Sequence, residues 1–179
     1  MKQRNNLMVA IGAFAVLATR GGCNNATPSA SGRGSQGSQG GAPEAFTAYK
    51  ESSQRIEAEL MMRRVVRRSQ ALATAAGVYV VGATLLSPAV SCCEQNVGGK
   101  HQCAADPTAW QDPIWRELDF AMEEPHYFQY QYTGTATSYK VTAVGDLDCD
   151  GTTITFAIDG NFDAGNPTFY LTKPGADAD

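Results

Sequence analysis

Residues 126–160 read HYFQYQYTGTATSYKVTAVGDLDCDGTTITFAIDG. In the opening HYFQYQYT the residues alternate: Phe128, Tyr130 and Tyr132 fall on one face, Tyr127, Gln129 and Gln131 on the other. A period of two belongs to a strand with one buried side. SYKVTAVGD and TTITFAIDG follow at hairpin-like intervals, and PTFYLTK adds another run, each set off by Gly-, Asp- or Asn-rich turns. The pattern predicts a meander of four antiparallel strands.

Upstream, the stretch from Glu44 to about Gly77 is dense in helix formers. Phe46, Tyr49, Ile56, Leu60, Val66 and Leu72 recur at spacings close to whole turns, with Glu51, Arg55, Glu57 and Glu59 mostly off that stripe. Glu59 and Arg63 form an i,i+4 pair in the favourable order. Arg63, Arg64, Arg67 and Arg68 sit toward the C-terminal half and complement the helix dipole. That basic cluster reads as a solvated face, with binding of anionic lipid or an acidic partner as the alternative. The small-residue stretch ATAAGVYVVGATLLSP is helix end, strand or both. Between helix and strands, Trp110, Trp115, Leu118 and Phe120 suggest a short helix or turn packed on a core. One long helix followed by a strand meander is an α+β fold, the helix laid across a four-stranded sheet.

The chain has 179 residues, room for one domain of ordinary size. Only 18% of residues are charged, and the net charge is −4, a balance that points to an exported protein. No Lys/Arg cluster is interleaved with aromatic residues, which argues against a nucleic-acid surface. No apolar run reaches the roughly 20 residues of a membrane span.

Lys2 and Arg4 precede the apolar stretch LMVAIGAFAVLA, and Gly21, Gly22 and Cys23 follow. These are the parts of a secretory signal over residues 1–22. Cys23 after two glycines resembles the lipobox of bacterial lipoproteins, in which that Cys carries a diacylglycerol. Arg20 stands where that pattern has an apolar residue, and an ordinary cleaved signal or an uncleaved start are the alternatives. Residues 23–43 form a Gly/Ser-rich stretch with too little apolar surface to offset its ordering entropy. As a coil it reaches roughly 25 Å, which suits a tether for a globular domain over residues 44–173, with a disordered tail over 174–179. Without residues 1–22 the net charge becomes −7, because Lys2, Arg4 and Arg20 go and no acid does.

With Cys23 lipidated, Cys92, Cys93, Cys103 and Cys149 remain, an even set that reads as two disulfides in an exported domain. Cys92 and Cys93 are neighbours, and a bridge between them would be strained, so each pairs elsewhere. One closes the short loop to Cys103 and the other reaches Cys149. The longer closure stabilises by about 4 kcal/mol in the chain-entropy model. The rival reading is a zinc site from Cys92, Cys93, His101 and Cys103, whose spacing lacks C-x-x-C hairpins.

In combination, SQRIEAELMMRRVVRRSQ (53–70), SPAVSCC (87–93), WQDPIWRELDF (110–120), EPHYFQYQYT (124–133) and GDLDCDGTTITF (145–156) carry a resemblance. The run from about Phe46 to Asp163, two-thirds of the chain, is similar to the globular part of type IV pilin-like and type II secretion pseudopilin proteins, particularly those of myxobacterial type. The resemblance implies a helical spine, an antiparallel sheet and a disulfide-tied loop. Pilins also have a processed Gly-Phe junction, a glutamate five residues on and an apolar helix of about twenty residues, and none of these is found before Phe46. Polymerisation by the ordinary route is therefore not expected.

Asp146, Asp148 and Asp150 alternate before Gly151, like the first half of a calcium loop. The twelfth position is Ala157, so this is no EF-hand. A looser calcium site would draw on backbone carbonyls, Asp159 or Asp163, and some pseudopilins bind calcium. The bland reading is a polar turn held by Cys149. His101 and His126 are the two histidines, and His126 reads as a sheet-edge residue or one satisfying a backbone group. No G-x-S-x-G, H-E-x-x-H or phosphate-cradling loop occurs.

These readings describe a non-enzymatic, lipid-anchored, pilin-like component of the cell envelope. It docks to pilus or secretion-system proteins through the helix face carrying Ile56, Leu60, Arg63 and Arg67, or through the sheet edge. The alternative is a surface lipoprotein that binds a glycan or peptide, with calcium holding a binding loop. The intact, non-reduced mass of membrane-extracted protein tests the anchor and the disulfides together. A start at Cys23, a diacylglycerol increment absent from Cys23→Ala, and a deficit of about four protons are expected.

Overall fold

The computed structural model describes residues 41–163 and 165–175. The expectations for residues 1–40, including the signal, most of the tether and Cys23, lie outside the described residues. Helix α1 spans Gly41–Ala76, 36 residues. Pro43 lies in its first turn, where no intrahelical N–H is needed. Gly77, with φ +77°, ends it by donating its N–H to the Ala73 carbonyl at 2.8 Å.

The face of α1 that meets the sheet carries Ala58, Met62, Val65, Val66 and Ala73, with Gln54 and Ser69 buried among them. These positions advance by threes and fours, as one helix face must. The apolar stripe expected from the sequence divides. Val66 is buried and Leu72 packs at the margin of the core, but Tyr49, Ile56 and Leu60 are 75%, 53% and 54% exposed. Ile56 and Leu60 each lie two residues from a buried one, about 200° around the helix. The inward face mixes Ala, Ser and Gln with larger residues, so its hydropathy contrast is weak and the larger side chains outside drew the stripe.

After α1 come β1 (Gly82–Ala83), a single-turn 3-10 helix (Cys92–Glu94), the small hairpin β2 (Asn96–Val97) and β3 (Lys100–His101), a second 3-10 turn (Pro107–Trp110) and α2 (Pro113–Glu117). The strands β4 (Gln129–Gly134), β5 (Ser138–Gly145), β6 (Ile154–Asp163) and β7 (Asn166–Thr172) complete the chain. The main sheet has five strands rather than four, in the order β1-β4-β5-β6-β7, each neighbouring pair antiparallel. The added strand is two residues long, in a run of small residues with no alternation to mark it. Beyond it the chain stays on β4: Thr84 N–H donates to the Tyr132 carbonyl, and Ser87 exchanges bonds with Tyr130 at 2.8 and 2.7 Å.

The alternation in β4 is as expected, with Phe128, Tyr130 and Tyr132 all inaccessible. Trp110 and Trp115, on two short helical turns, and Leu118 and Phe120, just after the second, are buried beside them. Asp106 and Asp112 cap those turns by accepting from Thr108 and Ile114 N–H, each with Pro following. Trp115 Nε1 donates to Ser87 Oγ at 3.1 Å, joining this aromatic cluster to the added strand region.

Glu57, which the sequence pattern sets off the apolar stripe, turns toward the sheet and accepts the Tyr127 N–H at 3.0 Å. Burial pushes its carboxyl up to about 7, against partial relief from backbone N–H groups of Tyr127 and Phe128. The Tyr130 hydroxyl lies near enough to couple with this carboxyl, yet makes no hydrogen bond by geometry. A carboxyl whose folded value is raised stabilises the fold fully below the unfolded value of 4.5, and loses that contribution as pH rises through about 7. The difference amounts to about 3 kcal/mol at most. In denaturant titrations, Glu57→Gln is therefore expected to gain stability relative to wild type between pH 5 and pH 8, by up to that amount; equal pH profiles for the two proteins would refute the coupling.

Candidate functional site

The two disulfides build the first candidate. Cys92 bonds to Cys103 with 4.2 Å between Cα atoms, and Cys93 to Cys149 with 5.6 Å. The adjacent cysteines thus send one bridge back into their own loop, over 11 residues, and one across 56 residues to the β5–β6 turn. With all of these sulfurs bonded to one another, the zinc reading from Cys92, Cys93, His101 and Cys103 fails. His101 is exposed, and its Nδ1 lies 2.9 Å from the Cys93 carbonyl.

Cys149 carries the turn Asp146–Gly151, in which Cys149 (φ +64°) and Gly151 (φ +95°) both lie in the left-handed region. The bridge to Cys93 holds the non-glycine residue there. Each aspartate uses one oxygen within the turn: Asp146 Oδ2 accepts from Gly151 N–H at 3.0 Å, Asp148 Oδ1 from Asp150 at 3.1 Å, and Asp150 Oδ1 from Thr152 at 2.6 Å. One oxygen from each carboxylate lies within 4.8 Å of the others, and Asp146 Oδ1 is buried without a hydrogen-bond partner. Clustered hard oxygens of this kind fit a calcium-like cation.

The wider ligand set differs from the expectation. Ala157 faces Thr142 within the sheet and supplies no side-chain ligand. Asp159 lies five residues along β6 from Ile154, about 16 Å at strand rise, and is paired with Lys140 at 3.3 Å. Asp163, farther still, ends β6. Neither belongs to the loop, because a strand carries its residues steadily away from the turn.

The second candidate is the side of α1 away from the sheet. Ile56 and Leu60 are both exposed there, with Tyr49 above and the exposed Arg67 below. Arg63 departs from this group: its guanidinium lies 6.0 Å over the Phe169 ring of β7. Arg64 also turns inward, donating to the Asp119 carbonyl at 3.4 Å and lying 6.0 Å over Phe120. The four arginines are therefore not one continuous basic face.

His126 is fully buried, its main chain exchanging hydrogen bonds with Cys103 at 2.8 and 3.1 Å. Its Nδ1 lies 3.0 Å from the Glu124 carbonyl, and burial depresses its pKa. It is a core histidine beside Trp110. Polar side chains on the inward side of α1 escaped the sequence reading, among them the half-buried Glu57 and the buried Gln54, whose amide nitrogen and oxygen are both without partners. Their only signal is position, since each falls on the inward side of α1 once Ala58 and Met62 define it.

No protein-family model, curated protein or solved structure matches the chain. Among the described residues, no helix is long and apolar enough to cross a membrane.

The acidic turn generates a direct expectation. Calcium added to metal-stripped protein raises the melting temperature, by an amount that grows with concentration as binding linkage requires. Asp148→Asn with Asp150→Asn, both exposed positions, abolishes that rise. Identical melting with calcium and with chelator would identify the turn as purely structural.

Proposed function

We propose that this chain is a non-enzymatic, lipid-anchored, pilin-like component of a type IV pilus or type II secretion assembly in the cell envelope, and that it acts by docking. The observation that carries this reading is the exposed stripe on α1. Ile56 and Leu60 are an i,i+4 pair on the side away from the sheet, each about half exposed, with the exposed Tyr49 two turns before Ile56. Apolar residues at that spacing make a seam suited to a second helix. The α+β architecture supports the resemblance, because a long helix against an antiparallel sheet with a disulfide-tied loop is what it implies. Family analogy supplies the identity of the assembly, and fold alone does not fix function.

On this reading Ile56 and Leu60 bury against a partner helix, Arg67 lies at the rim, and Arg63 acts within its own fold by bracing α1 on β7. A photo-crosslinking residue at position 60 in cells of the source organism tests the seam, with one at position 140 on the opposite face as the control. Crosslinks to pilus or secretion-system proteins from position 60, lost on Ile56→Asp, are expected. Crosslinks equal at the two positions, or to no such component, would overturn the reading.

A further inference from the structure

The sheet has a second face, turned away from α1, and its side chains are set in rows by the strand register. Lys140, Asp159 and Tyr170 are directly paired across β5, β6 and β7, and so project to the same side. Two residues along the strands, Ser138, Asn161 and Thr168 form a parallel row. Strand and residue spacings put neighbours about 5 Å apart across the rows and about 7 Å along them. The rows floor an open groove of about 530 Å³, within the range of small-molecule sites.

Three features of this surface select one chemistry. First, Tyr170 is 71% exposed, a flat apolar ring at the end of a row with a hydroxyl at its tip. Second, the other groups mix donors and acceptors: Asn161 Oδ1 accepts from Thr168 at 2.7 Å, and Ser138 Oγ lies 2.8 Å from the Thr135 hydroxyl. Third, among the described residues the only formal charges in the groove are Lys140 and Asp159, paired at 3.3 Å and each about half exposed, so they cancel. An ionic ligand gains little from a neutral groove. A ligand whose hydroxyls both donate and accept, and whose ring has an apolar face, matches all three.

We propose that this face of the sheet binds a neutral pyranose oligosaccharide, one sugar ring stacked on Tyr170 and its hydroxyls bonded by Lys140, Asp159 and Asn161. This site is separate from the helix seam and does not rest on the pilin-like reading. It is also separate from the acidic turn. Asp146 follows the far end of β5 from Ser138, eight residues or about 26 Å along the strand, so a cation in that turn does not shape the groove.

The full chain, immobilised on a surface, is tested against cellohexaose, mannohexaose and chitohexaose, with hyaluronan and heparin oligosaccharides as charged comparisons. Retention of at least one neutral hexaose, little changed between 50 and 500 mM salt, is expected. Tyr170→Ala and Asn161→Ala should each weaken it roughly tenfold, the scale of one lost ring contact and one lost hydrogen bond respectively. Leu60→Ser, on the opposite side of α1, should leave it unchanged. Because residues 161 and 170 point to solvent, near-ultraviolet circular dichroism of the variants should match wild type. The proposal is overturned by retention of none of the neutral hexaoses, by retention indifferent to both groove substitutions, or by salt-sensitive preference for the charged glycans.

Discussion

The hydroxyl of Tyr132 holds together the three parts of this fold. It donates to the Val80 carbonyl at 3.0 Å, tying β4 to the segment that leads into β1, and lies 3.4 Å from Ser69 Oγ of α1. Tyr132 and Ser69 are both fully buried, so an unpartnered hydroxyl there would incur a full desolvation penalty. The arrangement depends on Gly134: a Cβ at that position would collide with the Val80 carbonyl and with the Tyr132 ring and hydroxyl. A tyrosine at 132 thus requires a glycine at 134 and a small residue at 69. Helix, edge and sheet can then approach closely enough to exclude water.

A similar trade of aromatic against glycine recurs in the same cross-strand row, where Gly134 is paired with Tyr139 of β5. Tyr139 lies over Gly160, its registered partner on β6, where any Cβ would enter the ring. Tyr139 then stacks on Tyr132 and meets Tyr79 edge-on, with centroids 6.1 and 4.8 Å apart. The core is therefore a continuous aromatic layer, and α1 needs only Ala, Val, Met and Ser to cover it. Large side chains on the sheet and small ones on the helix divide the same volume, which is why α1 shows so little amphipathic contrast.

The disulfides act where this core thins out. The loop from Pro88 to Asp106 contains only a two-residue hairpin and one 3-10 turn, too little regular structure to hold its own shape. Closing 11 residues and 56 residues removes roughly 3 and 4 kcal/mol of unfolded-state freedom. The longer bridge also holds Cys149 in the left-handed region and keeps Asp146, Asp148 and Asp150 together despite their like charge. The outer side of α1 and, on the opposite side of the layer, the second face of the sheet are left uncovered among the described residues. A single helix on a five-stranded sheet covers one side of that sheet and exposes one side of itself.

How far the sequence reaches can be judged residue by residue. Alternation along residues 127–132 placed Phe128, Tyr130 and Tyr132 inside without any structure, because a strand's period is two and these side chains are large. The even set of four cysteines, and the strain of a vicinal bridge, narrowed the pairing to Cys92 and Cys93 reaching separately toward Cys103 and Cys149. Local chemistry of this kind is written in neighbouring residues. Three matters were decided only by tertiary packing. Which cysteine of the adjacent pair takes which partner depends on where the β5–β6 turn arrives in space. The inward face of α1 is chosen by the shape of an aromatic layer some seventy residues away, and that choice turns Glu57 half-buried toward the sheet and leaves Ile56 and Leu60 outside. The rows from Lys140 to Tyr170 exist only in the register of three strands, because residues 140, 159 and 170 share no sequence neighbourhood and meet only when the sheet forms.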